Sequence, residues 1–432
     1  MKKRIYAGVG ASVVIAVVVL AVTVGAAIAH SNGATPLPAS SCSAIQNPNG
    51  QYLIASDLPL QGSGRTQTIQ MTKAIAYILK QNNWKAGKYS VAYQSCDDST
   101  AQAGKWDSGK CSTNANAYAQ DSSVAGVIGT FNSGCAEIIV PVLNRAPNGP
   151  VAMVSPANTY VGLTHTGPGT VAGEPGKYYP TGKRNYARVV AADDYQGAAD
   201  ALLTQSLGVK KVFILNDKEA YGLGVATNYK NAATKLGIKT VGFTAWDGKA
   251  SSYQALAVKI KASGATGVFV GGLICENGGK LIKDIRAGVP ASVKIMLPDG
   301  FTPASATIKE AGSAAQGATI SVAGLPNSAL KGAGKTFVSS FTKAVGVPDP
   351  YSVYAAQATL VVLQALAQSN GTRADVAKQL FKVDLKNSIL GNVSFNANGD
   401  VTSNPVTIYK VSGNTAPTYK VITPPKSLVK AA

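Results

Sequence analysis

Histidine is scarce in this 432-residue chain, and its scarcity excludes several kinds of chemistry. The two histidines are His30, at an expected cleavage point, and His165, in a long predicted loop. A Ser-His-Asp or Cys-His catalytic arrangement would therefore depend on His165 alone. Clustered His and Cys ligands for zinc are missing, as are a GxxxxGK[ST] phosphate loop and a dinucleotide fingerprint in the right context. We therefore expect no enzyme, no metal centre and no cofactor.

Acidic residues are also few, numbering 21 against 40 Lys plus Arg, so the formal net charge is +19. The basic residues are scattered and form no stripe interleaved with aromatic residues, so we expect no nucleic-acid partner. We interpret the charge as a solvated cationic surface that faces an anionic envelope. Because 46% of the residues are hydrophobic and only 14% are charged, the chain predicts a well-packed body of two or three domains.

The N-terminus has the layout of an export signal over residues 1–29. Basic residues at 2–4 precede an uncharged stretch at 5–29, and Ala27-Ile28-Ala29 fits a small-residue cleavage site. The uncharged stretch is also long enough to span a bilayer, so a retained membrane anchor stays open beside cleavage. In both cases we expect the folded body to be extracytoplasmic, either secreted or periplasmic, or tethered to the outer face of the membrane.

The segment at 30–44 is rich in Ser, Pro, Asn and Ala and has no periodicity, which predicts a flexible tether. A lipid-attachment site at Cys42 is disfavoured, because Ala39 stands where such a site has Leu or a similar residue. In an exported protein the five cysteines are disulfide candidates. Cys96 and Cys111 could close a short loop, and Cys135 competes as a partner for either. The states of Cys42 and Cys275 stay open.

Short apolar runs alternate with helical patterns along most of the chain, which predicts parallel sheets. Two such series occur, so the sequence predicts an α/β fold with two doubly wound lobes. The predicted strands outside the two stretches described next are Tyr52–Ala55, Ser90–Tyr93, Lys211–Leu215, Thr240–Phe243, Gly267–Val270 and Val293–Leu297. The region 162–187 has many Gly, Pro, Lys and Tyr residues without a period and predicts a long surface loop.

Two stretches in the first series, Val124–Ala136 and Pro150–Thr159, each pass abruptly from an apolar run into small polar residues. Such runs are typical of buried parallel strands, and the polar residues then lie at the carboxyl ends of the strands. A helical pattern begins after Ser133, so backbone N–H groups near Ser133 and Gly134 predict a site for a carboxylate or another anion. Open α/β sheets bind ligands at this edge.

Asp299 and Tyr221 are candidates for the same site from the second series. Asp299 follows the apolar run Ile295–Leu297 and precedes Gly300, so we expect it at the carboxyl end of a strand. Its carboxylate could hold a ligand ammonium group, and the alternative is an Asp that only forms a turn. Tyr221 could cover a ligand, or it could be ordinary helix packing.

Several stretches in this order resemble the branched-chain amino acid substrate-binding proteins of ABC transporters, which have the type I periplasmic-binding fold. The stretches are Leu58-Pro-Leu-Gln-Gly-Ser-Gly64, Gln94-Ser-Cys-Asp-Asp98, Val127-Ile-Gly129 with Asn132-Ser133, Ser155-Pro-Ala-Asn-Thr159, Asp217 through Gly222, Gly271-Gly272, Pro298-Asp-Gly300, and Val393-Ser-Phe395 with Asn398-Gly-Asp400. The resemblance implies a three-strand hinge between lobe one, at 45–190 plus 325–400, and lobe two, at 191–324 plus 401–425.

The same resemblance implies roles for individual residues. Ser133 and Thr159 look like hydroxyl donors to a ligand carboxylate, and Asn158 looks like a backbone contact at the same end. Asp299 occupies the position of an acid that pairs with the α-ammonium group, and Tyr221 matches a tyrosine of the cleft. Where the family often has aromatic residues around the ligand side chain, this chain has Ser63, Leu273 and Ile274. The disulfide of the family implies that Cys96 or Cys111 pairs with Cys135.

These features predict an extracytoplasmic solute-binding protein of an ABC importer. It would be a monomer that closes like a Venus flytrap on an amino acid, branched-chain or a related small zwitterion, and then docks on a membrane permease. The alternative is a ligand sensor that signals to a membrane partner. The sequence names neither the ligand nor the fate of the N-terminal segment.

Overall fold

The computed structural model describes Met1 and residues 33–429, and the fold lies within residues 33–429. The signal peptide or anchor predicted at 1–29 lies outside the described residues, except for Met1. From Gly33 to Val429, no helix is both long enough and apolar enough to cross a bilayer.

Strands and helices alternate along the described chain. The strands are β1 (Tyr52–Leu58), β2 (Lys85–Ala86), β3 (Tyr89–Asp97), β4 (Ser99–Thr100), β5 (Lys105–Trp106), β6 (Val124–Gly129), β7 (Ala152–Ser155), β8 (Tyr186–Arg188), β9 (Lys211–Asn216), β10 (Lys239–Ala245), β11 (Gly267–Gly271), β12 (Lys294–Leu297), β13 (Thr319–Val322), β14 (Asp384–Ser388), β15 (Gly391–Ser394), β16 (Val406–Lys410) and β17 (Thr418–Ile422). The helices are α1 (Arg65–Gln81), α2 (Ser108–Gln120), α3 (Ser133–Asn144), α4 (Asp193–Ser206), α5 (Ala220–Lys235), α6 (Gln254–Ala262), α7 (Gly278–Gly288), α8 (Ala304–Ala311), α9 (Ala333–Ala344), α10 (Pro350–Gln368), α11 (Arg373–Leu380) and α12 (Lys426–Val429).

The first lobe is built on a sheet with the strand order β2-β3-β1-β6-β7-β8. All of its pairings are parallel except the short β2–β3 pair. Every residue of β1 and β6 is buried, as expected for central parallel strands covered by helices on both faces. Helix α10 supplies much of one covering layer, since nearly all of its apolar residues are buried against α1, α11 and the sheet. The carboxyl ends of these strands therefore share one edge.

The second lobe is built on a sheet with the order β10-β9-β11-β12-β13-β16-β17, in which the last two strands are antiparallel additions. Three connections join the lobes: residues 189–192 lead from β8 to α4, residues 323–332 lead from β13 to α9, and residues 395–405 lead from β15, which pairs with β14 in a separate small sheet, to β16. The predicted α/β fold of two doubly wound lobes joined by a three-strand hinge is confirmed. The predicted lobe boundaries stay a prediction.

The chain ahead of β1 is packed, in contrast to the flexible tether predicted at 30–44. Within residues 33–44, Ala34, Leu37 and Cys42 are buried in the first lobe, and the Ala34 N–H donates to the carbonyl oxygen of Gly50 at 2.8 Å. Composition alone missed this packing, because a disulfide and a few buried side chains anchor the segment without any periodicity. The region 162–187 is likewise more than a surface loop, since the buried Glu174 carboxylate accepts hydrogen bonds from two tyrosine hydroxyl groups.

Two disulfides, Cys42–Cys96 and Cys111–Cys135, stabilise the first lobe. Cys111–Cys135 joins the neighbouring helices α2 and α3 and is among the pairings that the family resemblance implies. Cys96 bonds instead to Cys42, which pairs with it as an antiparallel bridge at the edge of β3. A Cys96–Cys111 bridge is therefore ruled out. Cys275 is a free cysteine in the structure.

Two of the three connections meet at a buried charge cluster. The Arg188 side chain is fully buried, and its Nε atom donates to Asp400 Oδ1 at 2.9 Å. His165 lies between Asp400 and Asp194, at 3.1 Å from a carboxylate oxygen of each. Burial alone would lower the pKa of His165, but hydrogen bonds to the two carboxylates outweigh it and raise the pKa to about 9. His165 is therefore protonated at neutral pH.

We expect the stabilisation by His165 to disappear at high pH. Because the pKa is raised from 6.5 to about 9 on folding, the contribution is complete below pH 6.5 and is lost as the pH rises through about 9. Urea unfolding of the wild type and of His165→Gln measures it. At pH 6 the wild type should be more stable than the variant by on the order of 2 kcal/mol, and the difference should shrink towards zero at pH 10. A stability difference between the two proteins that does not change with pH would contradict the raised pKa of His165.

Candidate functional site

The carboxyl ends of strands from both sheets face one cavity between the lobes. The first lobe contributes Trp106, which ends β5, and residues that follow β6 and β7. The second lobe contributes residues that follow β9, β11 and β12. The cavity has about 360 Å³ of empty space, part of it open to solvent. Its lining residues are Trp106, Phe131, Asn132, Ser133, Gly134, Ala157, Glu219, Tyr221, Leu273, Asp299 and Gly300.

One end of the cavity is suited to an anion, because helix α3 begins there at Ser133. The N–H groups of a first helical turn have no partner within the helix, and no side chain caps α3. The Ser133 hydroxyl oxygen accepts a 3.4 Å hydrogen bond from the N–H of Tyr160 and keeps its own proton to donate. Gly134 has to be glycine here, since a Cβ atom would lie 2.5 Å from the Trp106 ring. This end can bind a carboxylate.

The second lobe contributes the Asp299 carboxylate to the cavity lining, and this carboxylate is nearly fully buried. It accepts hydrogen bonds from the hydroxyl groups of Tyr221 at 2.5 Å and Tyr351 at 2.7 Å. Burial raises the pKa of Asp299, although these hydrogen bonds oppose the shift. The Tyr221 hydroxyl also accepts from the N–H of Gly300, which fixes the ring against the turn. Asp299 is thus held in one orientation by residues of both lobes.

A second buried carboxylate, Asp193 at the start of α4, was not predicted from the sequence. It is fully buried, and neither of its oxygens makes a well-formed hydrogen bond to any described residue. Burial raises its pKa; the nearby Thr159 hydroxyl opposes the shift, and the charge of Asp299 adds to it. The Thr159 Oγ1 and Gln196 Oε1 atoms are also buried without a well-formed hydrogen bond in this part of the chain. Asp193, Thr159 and Gln196 are not part of the cavity lining, so these polar groups lie buried behind it.

The cavity contains four of the six residues predicted from the sequence, namely Ser133, Gly134, Tyr221 and Asp299. Asn158 and Thr159 lie behind the lining and are fully buried. The N–H of Asn158 donates to Ser155 Oγ at 2.7 Å, and its carbonyl oxygen accepts from Arg188, so its backbone is engaged within the protein. Ligand contacts of all six residues stay predictions.

The apolar part of the lining differs in part from the expected residues Ser63, Leu273 and Ile274. Leu273 lines the cavity, Ile274 lines an adjoining extension of the cleft, and Ser63 lines neither. Trp106 and Phe131 were missed. Phe131 lies between β6 and the start of α3, so its position was a usable signal. Trp106 lies in the short β5 strand, which no sequence pattern indicated.

Side chains also join the two lobes across the cleft. The Lys105 ammonium group, from the first lobe, forms ion pairs with Glu219 at 3.0 Å and with Glu276, both from the second lobe. The Gln67 amide donates to the Thr302 hydroxyl group at 3.1 Å. The cavity is therefore closed by specific contacts between the lobes.

Two α/β lobes, a three-strand hinge and a cavity between the lobes are the features of a solute-binding protein. A family model described as periplasmic binding protein matches residues 54–416, so the chain belongs to that family. The predicted family resemblance is confirmed. Because the family consists of solute-binding proteins, the chain is not an enzyme.

Curated relatives are similar over about two thirds of the chain. The Leu/Ile/Val-binding protein homolog 3 of Brucella melitensis is 30% identical over 292 residues, which cover 66% of this chain and 72% of the relative. An amino acid binding protein of Pseudomonas aeruginosa is 27% identical over 298 residues, covering 67% of this chain and 72% of the relative.

Solved structures support the fold at lower identity. The leucine-binding protein of Thermotoga maritima superposes with a TM-score of 0.73 at 20% identity, covering 86% of this chain and 99% of that one. The branched-chain amino acid transporter substrate-binding protein of Streptococcus pneumoniae, in complex with isoleucine, gives a TM-score of 0.71 at 17% identity, with coverages of 86% and 99%. An R. palustris solute-binding protein in complex with benzoate gives 0.68 at 18% identity, covering 86% of this chain and 96% of that one.

Proposed function

We propose that this protein is the extracytoplasmic solute-binding protein of an ABC importer and that it binds a free α-amino acid between its lobes. The observation that carries the proposal is that the Asp299 carboxylate and the start of α3 line one cavity, with a second buried carboxylate, Asp193, in electrostatic contact with Asp299. The ligand ammonium group lies towards the two acids, and the ligand carboxylate lies towards Ser133 and Gly134.

The charge of the site argues for a cationic group in the ligand. Two such buried carboxylates are unfavourable, since burial raises the pKa of both and the charge of Asp299 raises the pKa of Asp193 further. An ammonium group placed between them relieves both effects and forms charge-assisted hydrogen bonds. A simple aromatic acid such as benzoate has no cation and would leave the pair uncompensated. The helix start then accounts for the other charge of a zwitterion.

The apolar part of the cavity lining argues for an apolar side chain in the ligand. Trp106, Phe131, Ala157 and Leu273 line the cavity with apolar surface. Apolar walls of this kind are suited to an uncharged aliphatic side chain. The names of the curated relatives agree with this ligand class. A membrane permease of the importer is the expected partner of the closed form.

Calorimetric titration with individual amino acids tests the proposed function. Among the standard amino acids, we expect only those with aliphatic side chains to bind, with a micromolar or lower dissociation constant. When such a ligand is present at about 100 times its dissociation constant, the free energy of unfolding should rise by about 2.7 kcal/mol. Glutamate and lysine are the matched controls, since they share the head group and carry a charged side chain. Absence of binding by every amino acid would overturn the proposal.

Removal of the Lys105 ion pairs should weaken ligand binding more than it weakens the fold. The pairs join the lobes, so they stabilise the closed form to which the ligand binds. For Lys105→Met we expect about tenfold weaker ligand affinity, because partly buried ion pairs contribute on the order of 1 kcal/mol. Lys280→Met is the matched control, since Lys280 pairs with Asp284 within one lobe. Equal affinity losses in both variants would contradict the role of Lys105.

A further inference from the structure

A second concave surface lies at the edge of the first lobe opposite the ligand cavity. Its apolar floor includes Pro150, Ala377 and Phe381, and its rim carries Lys183, Arg184 and Lys378. We call these six residues the basal groove. The groove has about 1120 Å³ of empty space, including space open to solvent.

The position of the basal groove follows from the strand directions. Pro150 comes just before β7, and Lys183 and Arg184 come just before β8, so these residues lie at the amino ends of parallel strands. The ligand cavity lies at the carboxyl ends. Helix α11 forms the other wall, and its first residue, Arg373, donates to the carbonyl oxygens of Val124 and Ala119 at this same edge.

The three cations of the groove outnumber its acids, since only Asp375 lies in the lining, where its charge interacts with that of Lys378. Neither Lys183 nor Lys378 forms an ion pair with a described residue, and the Arg184 guanidinium donates only to backbone carbonyl oxygens, at 2.8 and 3.2 Å. The one acid in the lining, Asp375, accepts hydrogen bonds from the Asn370 N–H and the Gln379 amide. The groove therefore presents an excess of positive charge beside an apolar floor, which is the chemistry that recognises an amphipathic anion.

The described chain begins at the same edge. The Ala34 N–H donates to the Gly50 carbonyl oxygen just before β1, and the Thr35 N–H donates to Ser123 Oγ just before β6. Residues 30–32 alone separate Gly33 from the uncharged stretch at 5–29, which the sequence predicts as a signal peptide or a membrane anchor. Two exposed lysines lie at this edge too, Lys85 in β2 and Lys88 in the turn between β2 and β3. The chain start and the cations thus share one face.

We propose that the basal groove binds the headgroups of anionic phospholipids and holds the first lobe at the outer face of the cell membrane. The lipid phosphates contact Lys183, Arg184 and Lys378, and the glycerol and upper acyl carbons pack on the apolar floor. Cations close to an anionic bilayer are attracted within about one Debye length, so a short chain connection to the membrane favours this contact. The groove acts independently of the ligand cavity.

Hydrogen exchange of the full chain on lipid vesicles tests the proposal. Vesicles of phosphatidylcholine alone are compared with vesicles that contain one third phosphatidylglycerol. We expect peptides over 181–186 and 370–382 to exchange at least about threefold more slowly on the anionic vesicles only. The double variant Lys183→Gln/Lys378→Gln should lose this protection and keep the wild-type melting temperature. The matched control Lys259→Gln/Lys261→Gln, with two exposed lysines of the second lobe, should keep the protection.

Two results would overturn the proposal. One is protection that is equal on neutral and anionic vesicles or that survives in Lys183→Gln/Lys378→Gln. The other is absence of protection on either kind of vesicle, which would leave an acidic protein surface as the occupant of the groove. Because all variants share the same N-terminal segment, any difference between them comes from the groove.

Discussion

Asp299→Asn should weaken amino-acid binding by at least about 100-fold, because it removes the charge that pairs with the ligand ammonium group. The substitution keeps the size of the side chain, and one amide oxygen can still accept from Tyr221 or Tyr351. The fold should lose little, since burial raises the pKa of Asp299 and ionising it there costs free energy at neutral pH. Calorimetric titration and urea unfolding of the same variant measure the two effects separately.

The control for this substitution is Asp200→Asn in the same lobe. Asp200 is also buried with a raised pKa, and its carboxylate accepts from Ser321 Oγ at 3.0 Å, but it does not line the cavity. We expect its ligand affinity to stay within about threefold of the wild type, since no contact with the ligand is removed. An unchanged affinity in Asp299→Asn would leave Asp299 as a turn residue and contradict the proposed site.

The largest loss of stability is expected for Arg188→Met. The Arg188 guanidinium is fully buried and donates to Asp400, Thr164 and the carbonyl oxygens of Asn158 and Tyr160. The variant leaves the Asp400 charge short of its partner, so we expect a loss of about 3–5 kcal/mol in the free energy of unfolding. Burial would raise the pKa of Asp400, but Arg188 and His165 hold it well below its usual range, which shows how strongly the cluster favours the charged form.

Arg184→Met is the comparison for an arginine that is partly exposed and has no ion pair with another described residue. Arg184 also donates to two backbone carbonyl oxygens in this region but is partly exposed. Its loss should be about 1 kcal/mol, since water replaces its hydrogen bonds. Urea denaturation at pH 7 measures both variants. Similar losses in the two variants would show that the hinge does not depend on the buried pair of Arg188 and Asp400.

The residues of the site that could be predicted from sequence are those that come soon after a strand along the chain. Ser133 follows the run Val124–Gly129, and Asp299 follows Leu297, the last residue of β12. The place of each residue in the sequence therefore predicted its place at the edge of the sheet. The same reasoning predicted both parallel sheets. Tyr221 was within reach for a similar reason, since it lies at the start of α5 after β9.

The missed residues reach the site from distant segments. Tyr351 contacts Asp299 from a helix that covers the other lobe, and Asp193 enters the site from the first connection between the lobes. Neither has a local pattern that differs from that of an ordinary helix residue. Cys42 was left without an assignment for the same reason, since its pairing with Cys96 depends on how an irregular segment lies along β3. The positions of these residues depend on tertiary contacts, which no local sequence pattern indicates.

The central claim is that the cleft holds a zwitterion with its ammonium group between Asp193 and Asp299. Its most direct test is calorimetric titration of the wild type with the best-bound amino acid and with the matching α-hydroxy acid, in which a hydroxyl group replaces the ammonium group. We predict that the hydroxy acid binds at least about 100-fold more weakly, because the buried carboxylates then lack a cation. Equal affinity for the two compounds would contradict the account.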